Sequence, residues 1–147
     1  MADAGYARIS EPKTGEEFER YYDLRWKILR APWNQPRRSE RDNLEDESIH
    51  VMCSGNSGVL GVGRVHFNSA DEAQIRYMAI DESQQGRGIG GRILLELERR
   101  AVERGAKYVI LNSRESAVGF YRRHGYEVAG DAPAMFGIMH YRMIKNL

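Results

Sequence analysis

Apolar positions along the chain change period several times, and the changes predict a mixed order of helices and strands. After a run at Tyr6 to Ser10 that reads as a short first strand, Phe18, Tyr21, Tyr22, Ile28 and Leu29 recur near one face at helical spacing. Thr14-Gly15-Glu16-Glu17 supplies a capping box at their start. Ala31-Pro32 ends them, because the residue before proline is pushed out of the α region. A helix over roughly 15–30 follows. Ile49 to Ser54 and Val59 to Phe67 then read as strands joined by the turn residues Gly55-Asn56-Ser57-Gly58, and Asn68 to Asp71 turns the chain into a third, Ala73 to Ile80. The result is an antiparallel meander. Gly61 and Gly63 interrupt its middle strand, where a bulge or the close approach of another backbone or a ligand is expected.

The helical period returns after a glycine-rich turn. Ile93, Leu94, Leu97 and Ala101 make an apolar stripe over 91–104, with Glu96 and Arg100 at i,i+4 on the wet side and Gly105 as the stop. Tyr108-Val109-Ile110-Leu111 is a short continuous apolar run, as in a strand buried on both faces after a right-handed crossover. That places a parallel step at the centre of the sheet. Asn112-Ser113 begins a loop into a second short helix carrying Ala117, Phe120 and Tyr121 and stopped by Gly125, and Tyr126 to Ala129 and Met135 to Ile144 read as closing strands around Gly130-Asp131-Ala132-Pro133. With no repeat or linker, the expected architecture is one α/β (α+β mixed) domain over 1–147, a largely antiparallel sheet with helices on its faces.

Composition narrows the function classes. A chain of 147 residues, 41% hydrophobic and 29% charged, has room for one domain and no apolar run near the roughly 20 residues of a membrane helix. A single cysteine, Cys53, and an N-terminus without a basic and apolar leader predict a reducing, cytoplasmic setting. The net charge of +1 gives no global field for nucleic acid, and no aromatic and basic repeat appears. Four scattered histidines and one cysteine show no metal-ligand spacing. Cys53, on an expected strand, reads as a small buried side chain.

The candidate chemistry begins at Gln84-Gln85-Gly86-Arg87-Gly88-Ile89-Gly90-Gly91-Arg92. Strand, glycine turn and helix in that order make an anion cradle, since glycines allow positive φ and close approach while the helix adds unpaired N–H groups and a positive dipole end. The P-loop template fails for want of a lysine followed by Ser or Thr after the last glycine, and the dinucleotide fingerprint fails because the third glycine comes one residue early.

Gln85-Gly86-Arg87-Gly88-Ile89-Gly90 resembles the signature of the GNAT superfamily of acyl-CoA-dependent N-acyltransferases. The resemblance extends to Asn112 and to Ala117-Val118-Gly119-Phe120-Tyr121-Arg122-Arg123-His124-Gly125-Tyr126, from about the first helix to the C-terminus. It implies a GNAT-like fold whose central sheet is splayed at the cofactor site, with acetyl-CoA laying its pyrophosphate on the N–H groups around Gln85 to Gly91. The pantetheine arm would run beside Met78, Ala79 and Ile80, with Asn112 as its side-chain contact. Asn112 as a simple turn residue stays open. The implied activity is direct transfer of an acetyl group to a primary amine, on a small molecule or a peptide. A silent acyl-CoA-binding sensor is the alternative, and a homodimer is open.

A primary amine arrives mostly protonated, and attack on a thioester develops an oxyanion and then expels a thiolate. The resemblance makes Tyr121 of the Phe120-Tyr121 pair the donor to the leaving sulfur, with core aromatics as the competing reading. The family's strand glutamate aligns with Gln74, which cannot accept a proton and is left as a substrate contact. Proton removal falls to His66, Glu72, His140 or a water relay, and among the side chains His140 titrates in range beside the acceptor loop. Acceptor choice is expected in 30–38 and 130–136, where Trp33 with Arg37 and Arg38 forms either a plain surface loop or a substrate entrance.

Overall fold

The computed structural model describes residues 7–147. The expected strand residue Tyr6 and the stretch Met1 to Gly5, on which the expectation of no leader rests, lie outside the described residues. Seven strands, β1 (Arg8–Ser10), β2 (Ile49–Gly55), β3 (Gly58–Phe67), β4 (Glu72–Ile80), β5 (Tyr108–Arg114), β6 (Glu127–Met135) and β7 (Ile138–Asn146), form one sheet in the order β1-β2-β3-β4-β5-β7-β6. All pairings are antiparallel except β4 with β5. The mixed α/β fold with a parallel step is therefore the observed one.

Helices cover both faces. α1 (Gly15–Leu29) starts at the capping box, where Thr14 Oγ1 accepts from Glu17 N–H at 3.1 Å and Glu17 Oε1 accepts from Thr14 N–H at 3.1 Å. Its Tyr21, Leu24 and Ile28 pack on Met52, Val62 and Ala79. α2 (Ile89–Glu103) lays Ile89, Ile93, Leu94, Leu97 and Ala101 on the opposite face, over Val51, Cys53, Val65, Ala73 and Val109. Residues 51, 52 and 53 divide between the two layers, as strand alternation requires. α3 (Val118–Arg123) adds Tyr121 to the α2 layer. Among the described residues no helix is long and apolar enough to cross a membrane.

Two features open the sheet. Parallel pairing covers only Glu72↔Tyr108, Ala73↔Val109 and Gln74↔Ile110. Beyond Gln74, β4 and β5 separate and leave the facing edge of 75–80 without a partner strand. A register shift on the other edge sets Tyr77 and Met78 against Gly63 alone, because Val62 pairs with Ala79 and Arg64 with Arg76. That is a β-bulge, and Tyr77 sits in it at φ 60°, a left-handed conformation that costs an aromatic residue about 1–2 kcal/mol. Gly63 is required by packing: a Cβ there would lie 2.7 Å from Met78 Sδ and 2.9 Å from both Ile93 and Leu97. Helix α2, rather than a ligand, is the close neighbour of Gly61 and Gly63.

Several boundaries differ from the pattern. α2 begins at Ile89, two residues early, with Gly88 at φ 81° as its N-cap. Asn112 and Ser113 continue β5 because β7 gives them partners, Asn112↔Arg142 and Ser113↔Tyr141. Residues 130–133 lie inside β6: Gly130, at φ 151°, is absorbed by a register shift, and Pro133 costs no ladder bond on an edge strand. The turn falls instead at Phe136 and Gly137, both at positive φ as tight hairpin turns require. The acidic stretch 39–47, whose composition suits a solvated turn or a short helix, forms a short helical turn at Glu45–Glu47 and keeps Arg41, Asn43, Asp46 and Glu47 exposed. Arg25 and Arg64 are fully buried, and Glu45 and Asp42 are drawn in as their counter-ions.

Candidate active site

Two cavities meet where β4 and β5 part. The first, about 790 Å³, runs along the glycine turn and is lined by Met78, Ala79 and Ile80, by Gln84, Gln85, Gly86 and Gly88 to Arg92, and by Phe120, Tyr121, Arg123 and His124. Gly86 at φ 79° and Gly88 at φ 81° bend the backbone into α2, whose first-turn N–H groups open onto this cavity. Among the described residues no carboxylate lines it, whereas Arg92, Arg114 and Arg123 do. The Gln84 side-chain oxygen is buried there with no hydrogen-bond donor among the described residues. A turn of bare backbone, a helix end, cationic walls and an unpaired polar atom together fit the pyrophosphate and amide groups of an acyl-CoA.

Glycine identity follows from this crowding. A Cβ on Gly90 would stand 3.3 Å from the Phe120 ring, and one on Gly91 would stand 2.9 Å from His124 Nε2. Of the residues expected to hold the cofactor, Arg87 is exposed and does not line the cavity. Asn112 lies on β5 against the second cavity instead.

That second cavity, about 410 Å³, occupies the opening itself. Gln74 to Met78 of β4, Leu111 to Arg114 of β5, Arg30, Tyr121, Pro133, Met135 and His140 line it. Met78, Arg114, Ala117 and Tyr121 line both cavities and so form their junction. Tyr121 is 8% exposed, and its hydroxyl makes no hydrogen bond within the described residues. Burial pushes its pKa up to about 12, against the opposing charge of Arg114, so the phenol stays protonated at neutral pH.

The base candidates separate. His140 lines the second cavity, and its Nδ1 donates to the Ile138 carbonyl at 2.9 Å, so the neutral ring keeps its lone pair on Nε2. His66 is committed elsewhere: Arg64 can only donate to Nδ1, at 3.0 Å, and Nε2 then donates to Asn68 Oδ1 at 3.1 Å. Burial and the Arg64 charge lower its pKa. Glu72 accepts from Asn68 and from Tyr108 outside the cavity. Gln74 reaches the cavity wall, with Oε1 accepting from Asn68 Nδ2 at 2.9 Å.

Cationic side chains surround the bulge. The guanidinium carbons of Arg25 and Arg76 lie 4.4 Å from the Tyr77 ring centroid, that of Arg64 4.9 Å and that of Arg30 5.8 Å. Asp42 binds Arg64 through both oxygens at 2.6 and 3.0 Å, and Arg76 at 3.0 Å. Burial works against its charge, but the hydrogen bonds from Arg64 and from Leu44 N–H, with the Arg64 and Arg76 charges, hold its pKa down to about 2. Trp33 does not line the cavity. It stacks on Phe136 of the β6–β7 turn at 5.5 Å and 18°, and Arg30 lies 5.5 Å from the Phe136 centroid.

Tyr77, Arg76 and Arg114 gave no signal in the sequence, because an arginine or tyrosine inside a strand reads as an ordinary half-exposed residue. Arg30 fell within the stretch expected to choose the acceptor. Its burial became legible only when 39–40 was seen to fold over it.

Comparison with known proteins gives a consistent picture. Residues 18–126 match the model of the acetyltransferase (GNAT) family. The uncharacterized N-acetyltransferase YjcF of Bacillus subtilis (strain 168) is 30% identical over 135 residues, covering 91% of this chain and 96% of the relative. Among solved structures, an aminoglycoside 6'-N-acetyltransferase complexed with coenzyme A superposes with a TM-score of 0.80 at 17% identity, covering 95% of this chain and 96% of that one. An acyl-CoA N-acyltransferase from Pseudomonas aeruginosa gives 0.80 at 17% identity, covering 95% and 97%. At these identities the superpositions speak for the fold.

Proposed function

The chain belongs to the GNAT acetyltransferase family, and on that premise we propose that its whole length serves as one acetyl-CoA-dependent N-acetyltransferase domain acting on a primary amine in the cytoplasm. The observation that carries the proposal is the hydroxyl of Tyr121, without a hydrogen-bond partner among the described residues, at the junction of two cavities, one suited to an anion and one open to a second molecule. Bound acetyl-CoA supplies the thioester whose acyl group the amine takes, with CoA thiol as the other product.

The backbone from Gln85 to Gly91 and the start of α2 hold the pyrophosphate. Met78, Ala79 and Ile80 offer the edge of a strand without a neighbour to the pantetheine amides, in the manner of strand addition. A backbone N–H at the bulge near Met78 serves the carbonyl oxygen as negative charge develops on it. His140 Nε2 takes the proton that the attacking amine loses, directly or through water.

Tyr121 donates a hydrogen bond to the departing sulfur. Burial holds the phenol above the ordinary range of a thiol, so it stays protonated and serves as a hydrogen-bond donor. Stabilisation of the thiolate by the hydrogen bond is therefore its role, and the last proton reaches sulfur from solvent. A hydrogen bond to a charged group contributes about 1.5–3 kcal/mol, so Tyr121→Phe should lower kcat roughly 10- to 100-fold and leave CoA affinity nearly intact. Thiol release from acetyl-CoA across a panel of amines, with product masses, is the test. CoA binding without thiol release from any amine would mark a binding protein and overturn the transferase reading. Unchanged kcat in Tyr121→Phe would remove Tyr121 from the mechanism.

A further inference from the structure

The cavity between β4 and β5 carries a charge pattern that the transfer chemistry does not need. Arg30, Arg76 and Arg114 line it, with His140, and among the described residues no aspartate or glutamate does. The nearby carboxylates are already engaged: Asp42 with Arg64 and Arg76, and Glu40 with the Arg38 N–H and Arg41 Nε, each at 2.8 Å. A pocket built to receive a polyamine would place acids where this one places guanidinium groups.

Arg30 is the informative member. It is 8% exposed, yet among the described residues it forms no ion pair. Nε donates to the Ser39 carbonyl at 3.0 Å and Nη1 to the Leu29 carbonyl at 2.9 Å, while Nη2 donates to no acceptor among the described residues. The rings of Tyr77 and Phe136 lie 5.8 and 5.5 Å from its guanidinium carbon. Burial of the rest of the side chain fixes the guanidinium while Nη2 stays open to a ligand, and the fork geometry of arginine suits a carboxylate or phosphate. Arg30 and Arg76 line this cavity and not the glycine-turn cavity, so their charge is not explained by CoA.

We propose that the acceptor is a small amine that also carries an oxyanion, a carboxylate or a phosphate, held by Arg30 and Arg76 with its amine toward Tyr121. This rests on the transferase reading for the word acceptor, while the binding preference stands on the cavity alone. Cationic amines with several ammonium groups are repelled by the same residues, and an amine without an oxyanion forfeits the ion pair.

The test titrates CoA-saturated protein calorimetrically with glycine, L-glutamate, O-phosphoethanolamine and glucosamine 6-phosphate. Ethanolamine, glucosamine and spermidine are the counterparts without an oxyanion. An oxyanion-bearing amine should bind at least roughly tenfold more tightly than its counterpart without the oxyanion, and the carboxylate and phosphate arms show which group is read. Arg30→Gln should abolish that preference with CoA affinity unchanged. Arg76→Gln, at a more exposed residue, should weaken it in the same direction even if Arg30→Gln folds poorly. Equal or tighter binding of the amines without an oxyanion, binding of none of the oxyanion-bearing ones, or a preference that survives both substitutions overturns the proposal. Thiol release on the same panel separates the two readings. Selective binding without release counts against the transferase alone, and release with spermidine but not with the oxyanion-bearing amines counts against the oxyanion alone.

Discussion

Asp42→Asn tests the electrostatic frame behind the site. Asp42 is held at a pKa of about 2 in the folded chain against an unperturbed 3.8, and its side chain is 19% exposed. The folded value is depressed, so the charge contributes stability that is complete above 3.8 and is lost as pH falls through about 2. The shift of nearly two units corresponds to roughly 2.5 kcal/mol at pH 7, falling to about 1.3 kcal/mol at pH 3. Asparagine keeps the shape without the charge, so the variant should be less stable by about 2 kcal/mol at pH 7, a fall in Tm of roughly 5–9 °C for a chain of this size. Urea unfolding of both proteins at pH 7, 5 and 3 measures the gap. Other carboxylates titrate in the same window, but they do so in both proteins and cancel in the difference. A gap that is constant from pH 7 to pH 3, or absent at pH 7, would refute the assignment of Asp42 as the counter-ion that keeps Arg64 and Arg76 in place.

Two glycine substitutions should fail for opposite reasons. Gly63→Ala meets Met78, Ile93 and Leu97 at under 3 Å, so it should cost about 1–3 kcal/mol in thermal unfolding and, by displacing Met78, raise KM for the acceptor. Gly88→Ala meets nothing within 4 Å but must hold φ 81°. It should cost about 1 kcal/mol and weaken CoA binding measured by calorimetry, and an unchanged dissociation constant would take the cradle role from this turn.

Much of the frame was readable from pattern alone. The capping box at Thr14, the stripe from Ile93 to Ala101 and the stops at Gly105 and Gly125 are local signals, and the structure keeps them. The parallel step was readable because an apolar run after a helix implies a crossover. Strand ends were not. Asn112, Ser113 and 130–133 carry turn chemistry in isolation, and only the pairing of β5 and β6 with β7 makes them extended. Likewise, 39–47 reads as a solvated acidic turn or a short helix, and only Arg25 and Arg64, placed by a helix and a strand distant in sequence, make counter-ions of its Asp42 and Glu45. The glycine turn and Tyr121 were found by motif, whereas the arginines around Tyr77 depend on three segments meeting. No window along the chain contains them.

The three-pair seam between β4 and β5 has a mechanical meaning as well. Below Gln74 the two halves of the sheet are stitched, with Tyr108 Oη donating to Glu72 as a further tie. Above it they are free leaves on a short spine. A rigid chain wedged between them sets the angle of the leaves, and packed strands pass that angle on from β5 through β7 to the outer strand β6. Residues of β6 such as Gly130 would thereby feel whether the opening is filled, and amide exchange along that edge would register it.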